Sequence, residues 1–481
     1  MKKIFAYALF LCLFSALFAQ KYEAEEGDLH GIDINNELSG FSGSGYGTFV
    51  STFQKASFPF EAENDGEFGF RITYSNLQKE NERVSIKLMV DDNTYVVSQR
   101  LKSSSDFVTV TSNATVWVEK GSHKVTVLPL KGEWNLDCLE IVPVTEENRA
   151  DFYPSNKLSN PNASEQAQAV FDYLVSMRGK GILSGQQIYG TNTQEIKTLV
   201  SVTGKNPAIM GIDLIDFSPS RVAHGVSGGR LVSTAKKYWQ EGGLITCAWH
   251  WNAPSGLLDK DEVNKHWYDG FRKEATTFDF KNGIFNPDSK EYQEMLSDID
   301  AIAKPLKQLR DAGVPVLWRP IHEASGGWFW WGAAGKEAYL ELYKMLYDRL
   351  VNYHGLNNLI WVWNGQDPDW YPGDDLVDVV AYDSYPNPYQ HNDGVAFLQK
   401  IQSGCYESKL CAISENGTLP NIVKLAQQHS VWSWFCTWNG DFVISNGKYS
   451  EKCTKESTMK LYAENPWYIS RDEVPSFGQK K

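Results

Sequence analysis

The chain has 481 residues, room for two or three domains at about 150 residues each. Its 46 Lys and Arg against 59 Asp and Glu leave a formal charge of −13, which argues against a nucleic-acid or anionic-membrane partner, since both select for basic surface. Hydrophobic residues at 42% and charged residues at 22% are the balance of a folded chain rather than a disordered one, while 17 Trp exceed what a core needs and point to rings that face a ligand such as a sugar.

The chain opens with Lys2 and Lys3, an apolar run over 4–14 and a small residue at Ala19, the pattern of a cleavable secretory leader over 1–19. The run is shorter than the ~20 apolar residues a bilayer span requires. A secreted protein, extracellular or periplasmic, is therefore expected. Loss of the leader removes Cys12 and leaves six cysteines in an oxidising compartment. Cys405 and Cys411 flank a short loop and Cys436 and Cys453 follow the last strand, so bridges Cys405–Cys411 and Cys436–Cys453 are expected. Cys138 and Cys247 lie in strand runs of different domains and are expected to be free.

Residues 20–144 read as all-β. Runs at 68–74, 84–90, 107–110 and 124–127 alternate apolar and polar side chains, with turn residues between them, which predicts a sandwich, jelly-roll-like. Residues 145–163 turn polar and rich in Pro and Asn, as a linker does. From 164 to 470 eight apolar runs (181–184, 208–213, 244–249, 314–318, 359–363, 377–381, 410–413 and 431–435) alternate with amphipathic helices. One helix is predicted over 290–312, with Met295, Ile299, Ile302, Leu306 and Leu309 on one face and Gly313 closing it. Strands buried on both faces and separated by helices predict a (β/α)8 TIM barrel, ahead of an open doubly wound sheet. Residues 471–481 are a tail.

Barrel chemistry sits just past the carboxyl ends of the strands. Those positions hold Asp213, Asp216, His250, His322, Glu323, Asn364, Asp383, Tyr385, Glu415 and Trp438. Glu323 follows the fourth strand and Glu415 the seventh, on facing walls of one mouth. Two carboxylates converging on a glycosidic bond are what its hydrolysis requires, one to protonate the leaving oxygen and one to attack or to activate water. A serine nucleophile elbow at 225–229 (GVSGG) follows polar sequence, not a strand, and His322-Glu323 has no second His four residues on, so serine-hydrolase and zincin readings fail.

The run 322–332 (HEASGGWFWWG), preceded by Arg319-Pro320, resembles the acid/base motif of glycoside hydrolase family 26, the β-mannanase family of clan A. Residues 413–417 (ISENG) are similar to its nucleophile segment, and 181–187, 211–213 and 249–252 to other family stretches. The resemblance implies a retaining endo-β-1,4-mannanase acting on mannan, glucomannan or galactomannan without a catalytic cofactor, with Glu323 as acid/base and Glu415 as nucleophile. It implies substrate contacts from His250, Trp251, His322, Trp328, Asp383, Tyr385, Trp438 and Arg319. Trp330 and Trp331 either join Trp328 around the acid or pack inward. Another glycanase of the family (mixed-linkage β-glucanase or β-1,3-xylanase), or a non-catalytic glycan-binding protein, are the alternatives, and a monomer is expected.

Residues 22–25 (YEAE), 40–47 (GFSGSGYG) and 134–137 (WNLD) are similar to a carbohydrate-binding module of family 35. That resemblance implies a structural calcium held by Glu23, Glu25 and Asp137, whose hard oxygens suit the ion. It also makes Trp134 a possible sugar contact.

Overall fold

A computed structural model of the chain describes residues 19–76, 82–91, 95–259 and 265–479. The leader reading, apart from residue 19, lies outside the described residues, as does Cys12. Among the described residues no helix is long and apolar enough to cross a membrane.

The first domain is a sandwich of two antiparallel sheets. One has seven strands, with Gly66–Asn76 and Trp134–Pro143 at its centre, and the other five, with Lys55–Ala62 and Gly121–Lys131 side by side. The alternation read in the sequence is the alternation of burial. In Lys55–Ala62 the residues Phe58, Phe60 and Ala62 point inward, while Pro59 and Glu61 face out. Phe58, Phe70, Ile72, Leu88, Val125, Leu136 and Ile141 fill the space between the sheets. Trp134 belongs to that core. It is buried and stacked on Phe49, ring centroids 4.6 Å apart, so the expectation that it faces a sugar is corrected: both ring faces lie inside the sandwich.

The second domain is a closed parallel barrel. Its strands are β1 (Ile182–Leu183 and Gly185–Gln187), β2 (Ile209–Asp213), β3 (Leu244–Trp249), β4 (Val316–Pro320), β5 (Leu359–Trp363), β6 (Val379–Ser384), β7 (Leu410–Asn416) and β8 (Trp432–Thr437). Each pairs in parallel with the next, and β1 closes on β8 through Leu183 opposite Trp434 and Gln186 opposite Thr437. Helix α1 (Lys290–Asp311) connects β3 to β4. Ser289 caps it by accepting from the Tyr292 amide, and the five apolar residues of the predicted face are all buried. The chain then leaves the helix through Gly313 at φ +68°, a left-handed turn that suits glycine.

Residues 145–163 are packed against both domains. Phe152 is fully buried over Gly69 of the sandwich, and Leu158 joins the barrel core. Glu67 of the sandwich accepts hydrogen bonds from Arg178 of the barrel (3.0 Å) and the Tyr153 hydroxyl (2.5 Å). Asp369 of the barrel meets Arg83 (2.6 Å) and Lys131 (2.7 Å) of the sandwich.

The six described cysteines are all buried and free, so the expected bridges Cys405–Cys411 and Cys436–Cys453 are not formed. Closeness in sequence does not set the Cβ directions a bridge needs. Cys405 donates to the carbonyl of Ile401 (3.6 Å) and Cys411 to that of Lys409 (3.5 Å). Cys436, on β8, packs against Gly185 of β1.

Candidate active site

Every barrel strand delivers its last residues to the same rim, and the site is built there. Arg319, on β4, is fully buried. Its Nη1 donates to Asp383 Oδ2 at 3.0 Å and its Nη2 donates to Glu415 Oε1, so one guanidinium ties β4 to β6 and β7. Tyr385, just past β6, donates its hydroxyl to Glu415 Oε2 at 2.6 Å. His322 Nε2 lies 3.9 Å from Glu415 Oε1. Glu415 is thus held by hydrogen bonds from Arg319 and Tyr385, with the His322 ring beside it.

Glu323 enters from the opposite wall on a tight turn. Ile321 and Glu323 adopt φ of +40° and +51°, a left-handed conformation that costs a non-glycine residue of order 1–3 kcal/mol. The turn is held by neighbouring strand ends: the Glu323 amide donates to the Asn364 carbonyl at 2.6 Å and the Ser325 amide to Gly365 at 3.2 Å. Trp328 donates its indole N–H to Glu323 Oε2 at 3.0 Å and leaves 41% of its surface exposed. Glu323, Asp383 and Glu415 each bring an oxygen within 4.8 Å of the other two.

Three carboxylates around one guanidinium cannot all ionise freely. Burial first, then Asp383 and Glu415, push Glu323 far above the usual carboxylate range. Burial and Asp383 raise Glu415 as well, to about 7, and it stays below Glu323 because Arg319, His250 and the Tyr385 hydroxyl favour its anion. Of the two, Glu323 therefore holds a proton more tightly than Glu415. Burial, then Arg319 and His250, hold His322 well below its usual value, so it is a neutral imidazole.

His250, at the end of β3, stands edge-on to His322 with ring centroids 4.5 Å apart, and 5.7 Å from the ring of Trp438. Its Nδ1 meets Asp213 Oδ2 at 2.5 Å, and its amide donates to Asp213 Oδ1 at 3.1 Å. Burial would raise Asp213, yet His250 holds it below the usual range. A cleft of about 530 Å³ opens beside this pair, between Tyr189, Tyr268, Phe271 and Trp438. A groove of about 590 Å³ lies at the junction of the two domains, between Tyr74, Lys102 and Tyr406.

Of the residues singled out in the sequence, Arg319, His250, His322, Glu323, Trp328, Asp383, Tyr385, Glu415 and Trp438 converge at this mouth. Trp251 does not. It is fully buried, stacked on Trp249 at 4.2 Å, and donates its indole N–H to Asp298 at 2.8 Å, because the chain turns inward after His250. Trp330 and Trp331 also pack inward: Trp330 donates to the Trp251 carbonyl (2.6 Å) and Trp331 to the His322 carbonyl (2.9 Å), bracing the Glu323 turn from below. Asp213 had a signal, its place at a strand end, but no role assigned to it. Tyr189, two residues past β1, was within reach of the strand-end rule and was not singled out, whereas Tyr268 and Phe271 lie far along the β3–α1 connection, where that rule does not reach.

In the sandwich, Glu23, Glu25 and Asp137 gather around the loop 41–45. Ser42 donates to Glu23 Oε2 (2.6 Å) and its amide to Asp137 Oδ1 (2.7 Å), while Ser44 holds Glu25 Oε1. Glu23, Asp137 and Cys138 can each present one ligand atom within 4.8 Å of the others, and Glu25 Oε2 is buried without a partner. The Glu23 and Asp137 oxygens suit a hard cation and the Cys138 thiol does not; Glu25 stands beside that group rather than in it, and Glu23 Oε1 also meets Lys21 Nζ at 2.9 Å.

A TIM barrel whose mouth sets two glutamates against each other, one holding its proton more tightly than the other, flanked by partly exposed indoles, has the working parts of a glycoside hydrolase. The profile of Glycosyl hydrolase family 26 matches residues 159–473, and the chain belongs to that family. A mannan endo-1,4-beta-mannosidase of Thermothelomyces thermophilus is 37% identical over 95% of this chain and 90% of its own length. The solved GH26-CBM35 β-(1,4)-mannanase of Podospora anserina is 33% identical, with a TM-score of 0.62, and covers 96% of this chain and 100% of that one. A β-mannanase from a symbiotic protist of the termite Reticulitermes speratus, solved with a gluco-manno-oligosaccharide, is 31% identical with a TM-score of 0.58 over 68% of this chain and 99% of its own.

Proposed function

We propose that this protein is a secreted endo-β-1,4-mannanase that cleaves mannan-class polysaccharide by double displacement with retention of configuration. The observation that carries the reading is the pair Glu323 and Glu415. Their nearest oxygens lie within 4.8 Å, closer than the ~6.5–9.5 Å that an inverting enzyme needs to fit water between its carboxyls. Mannan as the substrate rests on the relatives' named activity.

Glu323 protonates the glycosidic oxygen as Glu415 attacks the anomeric carbon from the opposite face, and the leaving chain departs with that proton. The ester so formed neutralises the charge that Arg319 and Tyr385 had held. Glu323, now anionic, takes a proton from water, which attacks the same carbon and restores the Glu415 carboxylate. Two inversions give net retention. Trp328 holds Glu323, and His250, His322 and Trp438 line the sugar's place beside the nucleophile. The sandwich serves as a glycan-binding module, and Glu23, Glu25 and Asp137 would hold a structural calcium there, with Glu25 Oε2 as a ready ligand.

Proton NMR of the first products from a β-1,4-mannooligosaccharide tests the mechanism. The β-anomer should appear first; initial α-anomer would mean inversion and would sink the assignment.

A further inference from the structure

Asp383 makes the third carboxylate of the site, and the double displacement as written gives it nothing to do. It is fully buried and paired with Arg319. What fixes it is an irregularity in β7. Ile413 pairs with Tyr382 of β6 but Glu415 pairs with Asp383, so Ser414 is an extra residue bulged out of the ladder. In a regular strand Ser414 and Glu415 would point to opposite faces. A bulge re-aims the side chains beside it, and here Ser414 meets Asp383 while Glu415 meets Arg319.

The Ser414 hydroxyl donates to Asp383 Oδ1 at 2.8 Å. It accepts in turn from Asn364 Nδ2 at 2.6 Å. The Asn364 carbonyl is the acceptor for the Glu323 amide. Asn364 therefore joins two sets of hydrogen bonds: its main-chain carbonyl anchors the strained Glu323 turn, and its side chain leads through Ser414 to Asp383 and on through Arg319 to Glu415. Ser414 and Asn364 are 1% and 0% exposed and touch neither the cleft nor solvent.

We propose that Ser414 and Asn364 are positioning residues for the reaction, pinning the Asp383 carboxylate against Arg319 and beside Glu323 so that the one proton of the site stays on the acid. The inference rests on the assignment of Glu323 as acid/base and Glu415 as nucleophile. With Asp383 pinned, Arg319 is shared between two anions, and Glu323 faces both of them without a cation of its own. Like-charge repulsion then favours its neutral form. The charged and titratable groups around it are Arg319 and His322 from β4, His250 from β3, Tyr382, Asp383 and Tyr385 from β6 and Glu415 from β7. Of these, Asp383 is the one that Ser414 holds by hydrogen bond. Without the hydroxyl Asp383 can turn away, repulsion falls, and Glu323 releases its proton at lower pH.

The test compares Ser414→Ala, Ser414→Thr and Asn364→Ala in the full chain, measuring kcat, KM and the pH profile of kcat/KM on a soluble β-1,4-mannooligosaccharide. Ser414→Ala should lower kcat about 10-fold or more, the range for stripping a partner from a buried polar network, with KM within about twofold. The basic limb of its profile should move to lower pH by about half a unit or more. Ser414→Thr, which keeps the hydroxyl, should recover most of kcat and the wild-type limb. An unmoved basic limb in Ser414→Ala, whatever its kcat, overturns the proposal, as does a threonine variant no better than alanine. If Ser414→Ala does not fold, Asn364→Ala is measured in its place: a basic limb shifted to lower pH supports the proposal, and an unmoved limb overturns it. Failure of the underlying assignment shows separately, as inversion by the wild-type enzyme or activity retained by Glu323→Ala.

Discussion

Tyr385→Phe isolates the hydrogen bond that keeps the nucleophile ionised. The hydroxyl lies 2.6 Å from Glu415 Oε2, and Glu415 is only 4% exposed. A hydrogen bond to a charged group contributes about 1.5–3 kcal/mol. Tyr385 is itself 44% exposed, so the lower end applies, about 1.5 kcal/mol. The hydroxyl donates to the anion and so lowers the pKa of Glu415; its loss raises that pKa. At about 1.4 kcal/mol per unit, the acid limb of kcat/KM should move to higher pH by about one unit. That limb reports the free enzyme, and it belongs to the coupled carboxylates together rather than to one of them. The second step of the reaction supplies an independent reading. As the glycosyl ester breaks, charge returns to Glu415, and without the hydroxyl this step should slow about 10-fold. An aryl mannoside with a good leaving group should then give a pre-steady-state burst larger than that of the wild type. The ring remains in the variant, so its contact with Phe442 (5.6 Å) is kept and packing changes little. An acid limb within about 0.2 unit of wild type, with no added burst, would refute the claim that Tyr385 stabilises the carboxylate.

Glu415→Ala should abolish turnover on all substrates, whereas Glu323→Ala should suffer most with poor leaving groups and be rescued by azide, giving a glycosyl azide of retained configuration. Glu323→Ala should fall about 10²–10⁴-fold on mannan, and activity above about a tenth of wild type in both variants would remove them from the mechanism. At the domain junction burial opposes ionisation of Asp369, yet hydrogen bonds and charge from Lys131 and Arg83 hold it down at about 2. A depressed carboxyl adds stability above its unfolded value near 3.9 and loses it as pH falls toward 2. Asp369→Asn should therefore cost about 1 kcal/mol at neutral pH after solvent screening, and the variant and wild-type melting curves should converge near pH 2. A chelator should lower the melting temperature of the sandwich, reversibly on adding calcium, and leave kcat on short oligosaccharides unchanged; a melting curve indifferent to both would remove calcium from Glu23, Glu25 and Asp137.

Local pattern along the chain encodes the elements and their order. Apolar runs of four to six residues alternating with a 3.6-residue helical period can bury both faces of a parallel sheet in few ways, so the order of strands and the barrel were legible without coordinates. Once strands 4 and 7 are placed, Glu323 and Glu415 must face each other across the mouth, because a barrel turns a separation in sequence into an angle around its axis. Boundaries were less legible: the fourth strand runs over Val316–Pro320, two residues later than the apolar run suggests, because Arg319 is buried by its ion pairs and not by apolarity.

Tertiary structure decided the rest. Trp134, Trp251, Trp330 and Trp331 are inside, while Trp328 and Trp438 reach the site; indole is compatible with both, and only the packing of neighbouring elements chooses. The cysteine pairs close in sequence are not bonded, because Cβ direction follows from how a loop leaves its strand. The Ser414 bulge has no signature at all. A bulge arises from register between two strands distant along the chain, and that one added residue places Ser414 against Asp383 while Glu415 still meets Arg319. Side-chain identity travels with the sequence; the side of the strand on which it emerges is settled by the neighbour it pairs with.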